Sequence, residues 1–497
     1  MRPFVENFPF FCIFIAMVAG ILLSVTRDGR TAYQISLAVS FTVAALSAVV
    51  VYYVMTRDAS FVYVMGKYGA PFGNEIKVGP LQALLATVFS TVMGLSLLGG
   101  GRDLFHDVLP EKLHLYFVMC NLTLASLLAL TYTNDLFTGY VFIEISTIAA
   151  CALVMARDTG PNLVATIRYL FMSLLGSGLF LIGVAILYSI TGHLLMPQIA
   201  EAIAALRVTG QYALPLTVVL GLITVGLGIK SAMFPFHLWL PDAHGSATTA
   251  SSSILSGLVL KGYIVLFITI LLRVFTLETM NALHIGDVIL VFGLLGMVVG
   301  SVNAMRQTHV KRMLAYSSVA QVGYIFMGIG LGTEAGIVAS ILHILVHAFS
   351  KPMLFCCAGR LASVAGHHKN LAKLRGSAFL DPLAGIGFTV GALSMIGIPL
   401  LGGFVSKLYF ASASLLSAEK MALTLLVLAA STVLNALYYV PATIAIWSPN
   451  GAAAAEQLPE DDQGFAAATL VSIAAVFVLG IFYQPIIAII ETGIRLM

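Results

Sequence analysis

Residues 227–246 read LGIKSAMFPFHLWLPDAHGS. The stretch opens as an apolar helix and then contradicts itself. Lys230 falls while the apolar run is still unbroken, and Pro235 and Pro241 each remove a helix hydrogen bond. At the centre of a bilayer a lysine costs roughly 2.5–3.5 kcal/mol on insertion scales, so it is not placed there idly. A second stretch, LSMIGIPLLGGFVSKLYF at 393–410, repeats the combination. Gly397, Pro399, Gly402 and Gly403 invite an unwound segment, and Lys407 follows. Irregular backbone at membrane depth must line protein or a wet cavity, so matched interruptions in two halves point to a transport site. The interruptions lie five spans apart, which suggests two five-helix repeats.

The rest of the chain agrees with a membrane setting. Of 497 residues, 59% are hydrophobic and 9% are charged, with a mean hydropathy of +0.99. A globular domain carries about 25% charged residues, so the fold class is an all-α polytopic membrane protein. At about 20 apolar residues per crossing, the chain has room for about fourteen transmembrane helices. Broken seventh and twelfth helices divide it into residues 1–112 (helices one to three), 113–275 (helices four to eight, a first repeat), 276–445 (helices nine to thirteen, a second repeat) and 446–497. The last segment carries the acidic stretch Glu456–Asp462 and a final helix. The first apolar run, Phe10 to Val25, is read as a retained helix. Its leader MRPFVENF balances one Arg with Glu6, and no clean small-x-small cleavage site follows.

The formal net charge of +3 is spread through loops without a basic run, so nucleic acid is not an expected partner. Cys12, Cys120, Cys151, Cys356 and Cys357 show no C-x-x-C spacing and sit in or beside apolar runs. They read as small buried hydrophobes, and no cofactor or metal is expected. Of the 25 Lys and Arg residues, the odd-numbered loops hold twelve and the opposite side eight. The excess of basic residues marks the inner side, which puts both termini outward; the expected location is the cytoplasmic membrane of a prokaryote.

Four lysines remain inside spans: Lys230, Lys261, Lys351 and Lys407. Burial destabilises the charged form of a lysine, and a nearby carboxylate restores it. A Glu–Lys pair is therefore a switch, because charge arriving from elsewhere competes for the acid and frees the lysine to release its proton. Glu144, in YVFIEISTIAA of the fifth span, is the natural partner acid; a packing role against backbone is the alternative. Asp135, near the start of that span, reads as a membrane-edge residue or helix cap. Lys230 and His237 share a face if the helix survives to Pro235, and Asp242 and His244 follow the second proline. Lys261, mid-helix in SGLVLKGYIVLF, has no easy route to either interface. His343, His347 and Lys351 repeat every four residues and form one stripe down a helix. Zinc is disfavoured there, because the glutamate of H-E-x-x-H is missing and the next member is a cation. A proton relay along the stripe is the leading reading, with helix packing as the alternative. For Lys407 and Lys351 a further alternative is neutralising carbonyls freed at the nearby breaks.

FPFHLWLPDAH at Phe234–His244, KRMLAYSSVAQVGY at Lys311–Tyr324 and HILVHAFSKPMLF at His343–Phe355 resemble the signature segments of one family. It comprises the antiporter-like membrane subunits shared by complex I, Mrp-type cation/proton antiporters and energy-converting hydrogenases. The resemblance covers roughly residues 113–445. It implies fourteen helices with two inverted five-helix repeats. Residue by residue, it assigns the fifth-helix acid to Glu144, the broken seventh-helix lysine to Lys230 and the eighth-helix lysine to Lys261. It puts the eleventh-helix histidine at His347, with Lys351 one turn on, and the twelfth-helix lysine at Lys407. The chain's YGAPFGNEI segment is similar to the G-x-x-x-P-F-G-I region of Mrp D-type subunits. Two departures stand out: the usual acid after that segment is replaced around Gly79–Pro80, and the usual A-P-T-A reads Ala247-Thr248-Thr249-Ala250. The resemblance implies a D-type subunit of a multisubunit cation/proton antiporter, working with other antiporter-like and small membrane subunits. It would move protons, with any Na⁺ passing through a partner. The alternative is a proton-pumping subunit of a complex I-like dehydrogenase or membrane-bound hydrogenase. The chain has no nucleotide motif, cluster ligand set or flavin site, so redox chemistry would belong to partners.

Overall fold

The computed structural model describes residues 4–69, 73–209, 212–449 and 462–497. The acidic stretch up to residue 461 and the centre of YGAPFGNEI lie outside the described residues. Thirteen helices are long and apolar enough to cross a membrane. With the broken helix at 382–415 they make the expected fourteen spans, and the chain is a multi-pass membrane protein.

The first six spans are α1 (Phe8–Leu23), α2 (Gly29–Arg57), α3 (Pro80–Asp107), α4 (Pro110–Tyr132), α5 (Leu136–Met155) and α6 (Gly160–Thr191). A lateral helix, α7 (Met196–Thr209), leads to the seventh span, α8 (Ala213–Lys230) with α9 (Trp239–Ser246). The eighth is α10 (Thr249–Ala282). Then come α11 (Ile285–Met305), α12 (Val310–Gly330) and α13 (Glu334–Val364). The twelfth is α14 (Pro382–Ile396) with α15 (Gly402–Leu415), followed by α16 (Ala418–Ile446) and α17 (Gln463–Ile481). A terminal amphipathic helix, α18 (Tyr483–Arg495), closes the chain against α3.

Both breaks have local causes. The helix α8 stops at Lys230, where Ala232 takes a left-handed φ of 56° and Pro235 has no N–H to offer. Two side chains reinforce carbonyls of its last turn that also accept backbone N–H groups: Trp239 Nε1 donates to Ile229 O at 3.2 Å, and Ser231 Oγ to Leu227 O at 2.6 Å. At the second break Gly397 and Leu400 hold φ of 97° and 73°. The Ala247–Ala250 departure proves to be a helix start, since Thr248 Oγ1 accepts from Ser251 N at 3.1 Å as an N-cap.

The protein is inverted relative to a soluble one. Its most deeply buried helices, α10, α12 and α13, carry charge, and its exposed faces are apolar, as at Phe171, Leu426 and Val433. The helices α11 and α12 touch through glycine: a Cβ at Gly293 would stand 2.5 Å from Met327 N. Small residues allow such approach where lipid gives no hydrophobic drive for helices to associate.

One element was not expected. The connection between α2 and α3 forms an antiparallel hairpin, β1 (Phe61–Val64) with β2 (Glu75–Val78), Phe61 opposite Val78. Ile76 bridges on to Thr133 at the end of α4.

Candidate functional site: a buried basic axis

Of the seven principal site residues, the structure buries six completely or nearly so. Lys230, Lys261, His343, His347 and Lys351 are no more than 1% exposed, and Lys407 is 8% exposed. They sit on α8, α10, α13 and α15, whose packing places them in series through the protein interior.

Lys230, the last residue of α8, donates to Thr147 Oγ1 and lies 5.6 Å from the Tyr263 ring centroid. The Tyr263 hydroxyl meets Ser146 Oγ at 2.8 Å. Glu144 stands on the same helix as Ser146 and Thr147, half-buried at the edge of an outward face that carries Phe137, Val141 and Ile148. Its charge reaches Lys230. Among the described residues no Glu144–Lys230 ion pair forms; the lysine is held by threonine instead. His237 does not share a helix face with Lys230, because the helix ends before it. The His237 ring packs between Phe234 and Tyr316, with centroids 5.7 and 6.3 Å away.

Lys261 owes its setting to a feature invisible to periodicity. The helix α10 widens into π-turns at Leu255–Val259 and Leu271–Phe275. In the first, the carbonyl of Ser256 points back to accept from Lys261 Nζ. Such bulges recur at functional sites, because they free a carbonyl from the helix ladder.

The next groups converge around α13. His347 lies within electrostatic reach of Lys261, Lys351, His343 and His244. His244 stacks on Phe355 with centroids 4.7 Å apart. Lys351 donates to Leu314 O at 2.9 Å and to Tyr439 Oη at 3.1 Å, so its acceptors belong to α12 and α16 and not to its own proline-interrupted helix. The His343 and His347 rings are 6.2 Å apart, and His343 Nδ1 meets Ser406 Oγ at 3.0 Å. Next to Ser406, Lys407 Nζ donates to Ile396 O at 2.6 Å, a carbonyl freed by the second break. The carbonyl-capping role is therefore real for Lys407, and it coexists with a place at the end of the series.

Among the described residues, several buried polar atoms here have no protein partner: both ring nitrogens of His237, His244 and His347, His343 Nε2, and the amide of Gln321. Buried polar groups are hydrogen-bonded in folded proteins, and those without protein partners take water. The axis is thus chemically suited to a hydrated path in which lysines and histidines exchange protons.

Asp135, Asp242 and His309 make contacts at helix ends. Asp135 caps α5, accepting from Thr138 N at 2.6 Å. Asp242 joins Arg168 at 2.5 Å and Arg312 at 3.1 Å at the end of the broken span. His309 caps α12, accepting from Arg312 N at 3.4 Å. The five cysteines are buried and free.

Three buried charges went unrecognised in the sequence, where they count as loop residues. Lys311, in the first turn of α12, is 2% exposed and donates to Ala247 O at 3.2 Å, within reach of His244, Asp103 and Asp107. It extends the basic series toward the Arg- and Lys-rich side. Arg360 pairs with Asp381 at 2.8 Å, and Arg273 donates to Asn134, which in turn donates to Glu75. A hint lay in the segment after Lys311, whose helix is nearly free of charge and flanked by glycine.

Comparison with known proteins accords with this arrangement. A family model described as "NADH:quinone oxidoreductase/Mrp antiporter, TM" matches residues 133–434. The chain is 32% identical over 430 residues to the N-type subunit of the NADH-quinone oxidoreductase of Desulforudis audaxviator, covering 86% of this chain and 83% of the relative. It is 31% identical over 347 residues to the D-type subunit of the Na(+)/H(+) antiporter of Alkalihalophilus pseudofirmus, covering 69% and 67%. Among solved structures, a chain of the membrane-bound sulfane sulfur reductase, an archaeal respiratory membrane complex, superposes with a TM-score of 0.86. That likeness holds at 26% identity over 99% of this chain and 97% of the other.

Proposed function

The chain belongs to the NADH:quinone oxidoreductase/Mrp antiporter transmembrane family, and we propose that it is the proton-translocating D-type subunit of a multisubunit cation/proton antiporter. The observation that carries this reading is the series of buried basic side chains, Lys230, Lys261, the His343/His347/Lys351 stripe and Lys407. A solute site would need polar recognition groups around a cavity. A Na⁺ site would need several oxygen ligands, which Glu144 alone does not supply. Sodium, where handled, passes through a partner subunit.

Residues 113–275 and 276–445 form the two half-channels, each centred on a broken helix. A proton enters the first half, exchanges at Lys230 and Lys261, and moves by way of His347 and Lys351 to leave at Lys407. Glu144 sets the charge felt by Lys230, pairing with it in one state and releasing it to Thr147 in another. The half-exposed position of Glu144 suits a neighbouring subunit that modulates it. Both termini face outward from the cytoplasmic membrane of a prokaryote.

A second reading has support of its own. The oxidoreductase relative is as similar as the antiporter relative, 32% against 31% identical, so a redox-driven, complex I-like host has equal support from sequence. Adjacent genes for hydrophilic cluster-binding subunits would select that host; a run of small membrane subunits alone would select the antiporter.

The test is proton flux in proteoliposomes holding the whole complex. Glu144→Ala and Lys230→Ala are expected to abolish transport while the complex assembles, a loss of at least about 100-fold if each is an obligatory proton-transfer group. Wild-type rates in either variant would remove those residues from the mechanism.

A further inference from the structure

Beside the histidines, a second set of side chains joins Lys351 to the neighbourhood of Lys407. Lys351 Nζ donates to Tyr439 Oη at 3.1 Å, and the Tyr439 and Ser317 hydroxyls are 2.8 Å apart. The Tyr438 hydroxyl is 2.9 Å from Ser317 Oγ and 2.7 Å from Asn435 Oδ1. On its other side Asn435 Nδ2 donates to Tyr324 Oη at 3.3 Å. Lys407 Nζ lies 5.1 Å from the Tyr324 ring centroid and donates to Thr432 Oγ1 at 3.2 Å. Asn435 is further fixed by Ser301 Oγ at 3.3 Å and by the Met395 carbonyl at 3.5 Å. Ser317, Asn435, Tyr324 and Tyr439 are wholly buried, and Tyr438 is 4% exposed.

The two kinds of group in this set differ in what they can pass on. A hydroxyl accepts a proton on the same oxygen from which it releases its own. The Tyr438 hydroxyl has two acceptors, Ser317 Oγ and Asn435 Oδ1, and with its hydrogen turned to Asn435 the groups Tyr439, Ser317 and Tyr438 can shift protons in sequence with no net change. A primary amide accepts only at oxygen and donates only from nitrogen. Passing a proton through it requires the imidic acid tautomer, which a neutral amide does not adopt readily. The hydrogen bonds run on through Asn435, but the proton path stops there.

We propose that Asn435 is an insulator: it carries the hydrogen-bonded network from Lys351 as far as Tyr324, whose ring Lys407 faces, while denying that network protonic continuity, so that protons must go by the histidines. This rests on the basic axis being the proton path. A direct hydroxyl route from Lys351 to Tyr324 would skip His347 and His343 and let protons run through without the charge steps that couple the two half-channels.

Asn435→Asp converts the insulator into a relay of nearly the same shape. The protonated carboxyl accepts from Tyr438 on one oxygen and gives its own proton to Tyr324 from the other, restoring its state after rotation. The experiment measures proton flux of the whole complex in proteoliposomes, with assembly checked for each variant. His347→Ala is expected to suppress flux, and adding Asn435→Asp is expected to restore it at least about tenfold, as an inserted proton-transfer group should. Asn435→Asp alone raises the passive proton leak; Asn435→Leu, which neither bonds nor relays, does neither. If the Asp variant fails to assemble, Asn435→Ser supplies a hydroxyl for the same comparison. A double variant no more conductive than His347→Ala would overturn the proposal, and so would equal rescue by Asn435→Leu, which would point to loosened packing. Wild-type flux in His347→Ala alone would instead remove the histidine path itself.

Discussion

Replacing Lys261 by methionine should make the protein more stable while stopping it from working. Lys261 is fully buried at mid-helix, with the Ser256 carbonyl as its hydrogen-bond acceptor and no carboxylate among the described groups that contact it. Burying an ammonium costs several kcal/mol after relaxation. A hydrogen bond to a charged group returns about 1.5–3 kcal/mol, which leaves a net penalty of about 1–3 kcal/mol. Methionine has nearly the same length and volume and carries no such penalty. With unfolding entropy of about 2 cal/mol/K per residue, a gain of that size in a chain this long is a rise of about 1–3 °C in Tm. Lys261→Ala removes the same charge but leaves a cavity, and large-to-small changes in packed interiors cost about 2–5 kcal/mol, so its shift should be of opposite sign. The assay is thermal unfolding of the purified complex followed by intrinsic fluorescence, alongside proton flux in proteoliposomes. Both variants should lose flux. A Lys261→Met complex that melts below the wild type, or that pumps at wild-type rate, would refute the reasoning.

Two further outcomes follow from particular contacts. Alanine at Gly403 would put its Cβ 1.6 Å from the Ser394 carbonyl oxygen, which is backbone and cannot turn aside; the two halves of the broken twelfth span must part, and both complex yield and Lys407-dependent flux should fall. His309 is pushed down to about 4 by burial and by the charges of Lys369, Lys311 and Arg312. Its neutral ring is the acceptor that caps α12, so this stabilisation is present above its unfolded value of about 6.5 and is lost as pH falls toward about 4. Hydrogen exchange at residues 310–313 should accelerate between pH 7.5 and pH 5 beyond the intrinsic rate change, and His309→Asn, a good cap at any pH, should abolish the difference. Equal pH dependence in both proteins would dismiss the histidine cap as the cause.

The spans and their interruptions were legible because their causes are local. Apolar length makes a helix cross; Pro235 bars α8 from running on past Lys230, and Gly397 ends α14 where it stands. The burial of six of the seven principal residues was legible for a related reason: a lysine or histidine in an apolar run has few innocent explanations. What escaped depends on three-dimensional surroundings. Lys311 looks like a loop cation because a helix start and a loop have the same composition, and only packing against Ala247 shows it to be buried. Tyr438, Tyr439 and Asn435 sit on a helix whose other faces are exposed, and nothing in periodicity separates a relay from a membrane-interface aromatic. The π-turns of α10 leave no trace in residue type. The hairpin between α2 and α3 was hidden in a connection too short of apolar residues to cross, although the β-branched and aromatic run FVYV has the composition of a strand.

That hairpin limits how the protein can move. From one end of the membrane its strands grip several parts at once: Ile76 pairs with Thr133, Glu75 is tied through Asn134 to Arg273 at the end of α10, Ser60 Oγ donates to Leu496 O at 3.2 Å, and Lys77 donates to the carbonyl of Met497. Its anchors in α4 and α10 both belong to the first repeat, so the brace holds that repeat, the opening helices and the last turn of the chain together, and any rocking between repeats must carry the three as one body.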